Sequence, residues 1–124
     1  MEFYLCKRCG NVVGYVEAMG PKAVCCGEEM GLFVPNTVDA AVEKHVPVMA
    51  VEGNVVTVTV GSAIHPMTEA HHIVWIALHS QQGNQRKSLL PTGEPKAVFV
   101  LAEGDEPLAA YARCNLHGLW KTAD

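Results

Sequence analysis

The chain has no cluster of lysine or arginine, which argues against nucleic acid as its main partner. Its net charge of −4 is mild. No apolar run approaches the roughly 20 residues that a membrane-spanning helix needs, so no membrane partner is expected. The opening residues, Met1-Glu2-Phe3-Tyr4-Leu5-Cys6-Lys7, lack the basic start, apolar stretch and small-residue cleavage site of a signal peptide. A cytoplasmic location is the expectation. Internal repeats, low-complexity tracts, coiled-coil heptads and long stretches of helical periodicity are also missing. The hydrophobic share of 49% and the charged share of 18% among 124 residues then fit an ordinary folded protein and exclude disorder.

Cysteine and histidine are what the chain does have. Four of its five cysteines fall within the first 26 residues. A cytosolic chain does not normally keep structural disulfides, so thiols clustered in this way suggest a metal. The fifth, Cys114, stands far downstream beside a histidine. All six histidines lie between positions 45 and 117. Two chemically distinct regions result, one all cysteine and one rich in histidine with a single cysteine.

Residues 1–36 read as a first unit. Phe3-Tyr4-Leu5 and Asn11 to Val16 suggest small strands, interrupted by Gly10, Gly14, Gly20-Pro21 and Gly27. So short a segment cannot fold on core burial alone and needs a staple. Residues 37–124 form the second unit, where apolar alternation of period two recurs. Strands are expected at Val46–Val51, Val55–Val60, His72–His79, Lys96–Ala102, Ala109–Arg113 and Leu119–Lys121, with turn signals at Gly61-Ser62, Gly83-Asn84, Pro91-Thr92-Gly93 and Gly104-Asp105. In the third of these strands Ile73, Trp75 and Ala77 should share one face, and Val74, Ile76 and Leu78 the other. The expected fold is all-β, an antiparallel sandwich behind a small metal-stapled unit.

Cys6-Lys7-Arg8-Cys9 is a C-x2-C pair, and Cys25-Cys26 is an adjacent pair. Four thiolates in so short a unit suit a tetrahedral metal, and the glycine after each pair permits a tight knuckle. Two disulfides are the competing reading, but a vicinal disulfide is strained. Tetrahedral sulfur suits zinc or iron, and spacing alone favours zinc.

In the second unit the donors fall in Glu43-Lys44-His45-Val46-Pro47, His65-Pro66-Met67, Glu69-Ala70-His71-His72 and Cys114-Asn115-Leu116-His117-Gly118. They sit at strand ends or in loops, where a rigid sandwich can gather distant segments. A lone loop histidine is more often solvated than a ligand, but several beside a Cys-x2-His pair shift that balance. His71 and His72 would point opposite ways in a strand, so one of them is expected to bind, and pattern does not say which. His79 reads as structural. Glu43 and Lys44 would ordinarily be surface charges, notable only for standing beside His45. A blue-copper site is the minor alternative, weakened by the lack of a methionine after His117 and by the surplus of histidines.

Taken together, these segments resemble desulfoferrodoxin, the two-iron form of superoxide reductase, over essentially the whole chain. The first unit is similar to a desulforedoxin domain. The second is similar to the neelaredoxin-type domain, an immunoglobulin-like sandwich. The resemblance implies iron, not zinc, on Cys6, Cys9, Cys25 and Cys26. It implies a second iron with four equatorial nitrogens from His45, His65, His71 and His117 and an axial sulfur from Cys114. Glu43 matches the carboxylate that fills the sixth position in the ferric state, and Lys44 the cation beside the open face. His72 stands where relatives often carry an aromatic residue.

The activity so implied is one-electron reduction of superoxide to hydrogen peroxide without release of dioxygen. It requires an electron donor, rubredoxin or a similar carrier, and the family implies a homodimer. Asn115 and the backbone near Cys114 are candidates to donate to the sulfur and tune it. Two other function classes stand beside the enzyme: an electron carrier with two iron centres and no substrate of its own, and a metal-stapled binding module.

Overall fold

The computed structural model describes residues 1–123. The chain divides into two compact units after Val34.

In the first unit, β1 (Tyr4–Leu5) pairs antiparallel with β2 (Val12–Val13) on one side and β5 (Gly31–Leu32) on the other. A separate hairpin joins β3 (Val24–Cys25) to β4 (Glu28–Glu29). Its turn residues are Cys26 and Gly27, with φ of 53° and 77°. Two successive positive φ values are the mark of a type I′ turn, whose twist matches that of the strands it joins. The adjacent cysteines are therefore a strand end and a turn corner. Between β1 and β2, Cys6 accepts from the Gly10 N–H at 2.9 Å, and Gly10 turns with φ of 85°. Cys6 and Met30 are the only residues of this unit in the buried core among those described. Two side chains give far too little apolar burial to hold such a unit folded.

The second unit is a two-sheet sandwich, the architecture expected from the alternation. One sheet runs β10 (Lys96–Val100), β7 (Val55–Val60), β6 (Pro47–Glu52). The other runs β12 (Gly118–Lys121), β11 (Pro107–Cys114), β8 (Ile73–Ser80), β9 (Gly83–Ser88). All the pairings are antiparallel. Val56, Val58 and Val60 of β7 meet Ile76 and Leu78 of β8, Phe99 of β10, and Ala110 and Ala112 of β11 in a core with almost no exposure. Asn36 already belongs to this unit, since its N–H donates to the Leu119 carbonyl and its amide exchanges bonds with the Lys121 backbone.

Three features depart from the sequence expectation. Gly83-Asn84 opens a strand, β9, which is polar because it is a sheet edge with nearly every residue exposed. A single helical turn, α1 (Val42–His45), precedes β6. Ile73 lies in the core with Ile76 and Leu78, not on the face of Trp75, because the β8–β11 register shifts where Cys114 pairs Ile73 and Arg113 pairs Trp75. Such a bulge inserts one residue and inverts the alternation beyond it.

Strand direction gathers the candidate donors. The start of β6 pairs with the end of β7, at Pro47 and Val60. The start of β8 pairs with the end of β11, and the end of β11 with the start of β12. His45 precedes β6, His65 follows β7, His71 precedes β8, and Cys114 and His117 bracket the β11–β12 turn. All five fall at one end of the sandwich.

Gly61 allows α1 to sit there. A Cβ at this position would stand 2.7 Å from the Glu43 carbonyl oxygen and 3.0 Å from the Val46 oxygen. The neighbouring Ala63 N–H donates to that Glu43 oxygen at 2.8 Å. Gly61→Ala should therefore push the turn away and destabilise the sandwich by about 1–3 kcal/mol. Equilibrium unfolding followed by tryptophan emission checks this, since Trp75 and Trp120 both lie in the second unit.

Candidate metal centres

The four thiols of the first unit lie within 4.8 Å of one another. Cys9 Sγ is 3.6 Å from Cys25 Sγ, and Cys25 Sγ is 4.0 Å from Cys26 Sγ. A disulfide would need about 2.05 Å, and all four cysteines are free. A tetrahedron with metal–sulfur bonds of about 2.3 Å has edges of about 3.8 Å, and the observed separations straddle that length. Two donors approach from outside: the Asn11 N–H points at Cys9 Sγ at 3.4 Å, and Asn11 Nδ2 at Cys25 Sγ at 3.6 Å.

The thiols do not share one acidity. The Cys9 backbone N–H, as a hydrogen-bond donor, is the main cause that brings Cys6 down to about 6. Its neighbours, Cys9 first and then Cys6 and Cys25, push Cys26 up to about 12. Four thiolates cannot form side by side unless a cation compensates them, so the cluster fits a metal and little else.

The second group is His45, His65, His71 and Cys114, whose donor atoms also lie within 4.8 Å of one another. His117 falls outside that set but joins it from one side. Its Nδ1 is 3.1 Å from His45 Nε2 and 3.8 Å from Cys114 Sγ. The four imidazoles stand in a ring. Neighbours meet nearly edge-on, with centroids 4.7 Å apart for His45–His65, 4.6 Å for His65–His71, 5.0 Å for His71–His117 and 5.0 Å for His117–His45. His45 and His71 face each other across it at 6.3 Å. Cys114 Sγ is 3.4 Å from His65 Nε2.

Two of these rings have their tautomer set by the backbone. His45 Nδ1 donates to the Ala41 carbonyl at 2.7 Å, and His65 Nδ1 donates to the Pro66 carbonyl at 2.7 Å. A carbonyl can only accept, so the proton is on Nδ1 and each Nε2 turns a lone pair inward. His71 Nε2 is buried with no hydrogen-bond partner. A buried ring nitrogen without a partner is costly unless a metal takes its lone pair. Burial lowers His45 and His71 from their ordinary values and brings His65 down to about 4. These three imidazoles are thus neutral near pH 7, the form that binds metal. Three or more nitrogens with one thiolate suit a transition metal such as iron or copper.

The remaining predicted residues are placed around this ring. Glu43 and Lys44 are exposed on α1 immediately before His45. The Lys44 charge reaches the ring, since it contributes to lowering both His45 and His71. His72 is not brought into the cluster, because its Nδ1 donates to the Thr68 carbonyl at 2.9 Å. His79 lies along β8 and is a member of neither group. The Asn115 side chain does not serve the Cys114 sulfur, because both ends of its amide are used on residues 70 and 72.

Sequence reasoning missed three supports. Trp120 is buried against His45, with centroids 4.9 Å apart, and donates its Nε1 proton to the His117 carbonyl at 2.9 Å. Arg113 donates to the carbonyls of Cys114 and Gly118, the two ends of the turn that carries both donors. Ala41 and Pro66 act only through their carbonyls, which no side-chain pattern reveals. An aromatic two residues past Gly118 was the one signal available.

Comparison with known proteins places these sites in context. The family model described as Desulfoferrodoxin matches residues 37–123, and that described as Desulfoferrodoxin, N-terminal domain matches residues 1–33. The chain is 46% identical over 122 residues to a desulfoferrodoxin homolog of Archaeoglobus fulgidus, covering 98% of this chain and 96% of that protein. It is 45% identical over 120 residues to the desulfoferrodoxin of Nitratidesulfovibrio vulgaris, covering 97% and 94%. Among solved structures, the superoxide reductase from Treponema pallidum superposes with a TM-score of 0.83 at 39% identity, covering 99% of this chain and 100% of that one.

The depressed His65 has a consequence for the metal-free protein. An unfolded histidine takes up its proton near pH 6.5, whereas folded His65 does so only near 4. The unfolded state therefore binds more protons in between. Stability should be flat above about pH 6.5, fall as pH drops toward 4, and lose this dependence below that. His45 and His71 act in the same direction. Denaturant midpoints of metal-free protein at pH 7.5 and 4.5 check it, and equal midpoints would contradict the assignment.

Proposed function

The chain belongs to the desulfoferrodoxin family, and from that premise we propose that it is a superoxide reductase working at an iron held by His45, His65, His71, His117 and Cys114. The observation that carries this reading is the convergence of imidazole nitrogens and one sulfur, with a buried, partnerless His71 Nε2, beside an exposed lysine. The family's cofactor is iron, and the two donor groups give each chain two places for it. The superoxide reductase of Treponema pallidum, alike over nearly the full chain, supports superoxide as the substrate.

Iron in the second centre, when bound, supplies the single electron that takes superoxide to the peroxide level. The remaining work belongs to side chains. Superoxide is a small anion, and the Lys44 ammonium on α1 attracts it toward the ring and stabilises negative charge as it grows. Its Nζ protons can hydrogen-bond the incoming oxygen. Two protons from water complete hydrogen peroxide, and the exposure of α1 gives water access. Cys114, buried at the core edge, would hold the metal through its sulfur and supply it with electron density. Glu43, one residue before Lys44, is a carboxylate that would help to hold the metal when no substrate is present. The Ala41 and Pro66 carbonyls keep His45 and His65 in the tautomer that binds.

Each superoxide consumes one electron, so the reaction needs a donor, and we assign that role to a rubredoxin-like carrier. The saturated four-cysteine site of the first unit has no place for substrate. It fits a staple, and a relay for electrons. Exposed Val16, Met19 and Val24 on that unit supply apolar surface for the homodimer contact. Four free thiols in one cluster accord with a cytoplasmic setting.

Product stoichiometry tests the proposal. With the protein kept reduced under a superoxide flux, about one peroxide per superoxide and no dioxygen is expected. About half a peroxide with dioxygen released would mean dismutation instead. Neither product above background would leave an electron carrier. Lys44→Ala should lower the second-order rate with superoxide by about tenfold and weaken its dependence on ionic strength. Stopped-flow rates at two salt concentrations measure both effects.

A further inference from the structure

Asn115 lies between Cys114 and His117, yet its side chain reaches out of that turn. Asn115 Oδ1 accepts from the His72 N–H at 2.9 Å, and Nδ2 donates to the Ala70 carbonyl at 3.0 Å. Its own N–H donates to the His72 carbonyl at 3.1 Å. These three bonds bracket His71, one on the residue before it and two on the residue after. Both partners are backbone groups of fixed character, so the position requires an amide. A carboxylate lacks the donor, and a hydrocarbon lacks both functions.

His71 needs this more than its neighbours do. His45 and His65 each have Nδ1 tied to a backbone carbonyl, which fixes the ring directly. No such bond holds the His71 ring among the described residues, and its Nε2 is buried without a partner. Its direction is therefore set by its backbone. Thr68 holds that backbone from one side, accepting from the His71 N–H at 3.1 Å and donating its own N–H to the His71 carbonyl at 2.9 Å. Asn115 holds it from the other.

We propose that Asn115 is a positioning residue that aims His71 into the second metal centre by tying the His71 segment to the turn carrying Cys114 and His117. One amide thereby couples two segments that between them hold three of the five donors. The proposal rests on the reading that His71 binds the iron.

The test is iron release from the full-length ferrous protein to a chromogenic chelator, followed at the second centre by its own absorption. Asn115→Ala should release that iron about 10–100-fold faster, the usual cost of losing a group that orients a ligand. Asn115→Asp, which keeps the acceptor and loses the donor, should fall between. The four-cysteine site should release at its native rate in both. Added to His71→Ala, Asn115→Ala should change the rate by less than about twofold, because its effect passes through His71. A native release rate in Asn115→Ala would overturn the proposal, and so would full additivity in the double variant. If Asn115→Ala does not fold, Asn115→Asp alone and with His71→Ala gives the same comparison. A native rate in His71→Ala would remove the ligand reading instead, and the proposal with it.

Discussion

Both units of this protein are organised around donor atoms crowded together more closely than their charges and lone pairs favour without a cation. Four thiols within 4.8 Å cannot all ionise unaided, and in the second unit His71 Nε2 is buried with no hydrogen-bond partner. A cation relieves both conflicts at once. In the first unit this relief stands in for a core, since only Cys6 and Met30 are buried there among the described residues. In the second, an extensive core already exists, and it supplies a rigid end on which unfavourable lone pairs can be held together.

The two sites divide the chemistry through their donors. An all-sulfur tetrahedral site has no position for a substrate, so it is suited to holding structure or passing electrons. The ring of four imidazoles with one thiolate is asymmetric, and the exposed Glu43-Lys44 turn lies beside it. One sandwich end thus combines a sulfur donor, imidazole nitrogens and an exposed cation. Burial supports this by holding His65 well below its ordinary value, so this imidazole can bind metal near pH 7 without first losing a proton.

Precision comes from groups that never touch the metal. Carbonyls of Ala41 and Pro66 orient two rings, and Trp120 packs against one of them. Gly61 lets the α1 backbone press against the end of β7. Asn115 and Thr68 hold the His71 backbone from opposite sides. Each is a backbone or short-range constraint: Ala41, Trp120 and Gly61 act on the His45 segment, Pro66 on His65, and Asn115 and Thr68 on the His71 segment.

The sequence by itself determined the sandwich, because alternation in segments such as Val55–Val60 has the period of a strand with one buried face. It also determined the donor inventory, because thiols and imidazoles clustered at turn-like positions have few other uses. It could not find β9, whose edge position lets it be polar, nor the side of the sheet on which Ile73 lies, which a bulge reverses. Alternation could not choose between His71 and His72, a choice that the motif resemblance made; nor could it show that the His72 ring turns to the Thr68 carbonyl, or that Asn115 serves the backbone and not the sulfur. Those contacts were decided only when strand register brought residues 70–72 against residue 115, because a hydrogen bond depends on angles and separations that residue order alone does not fix.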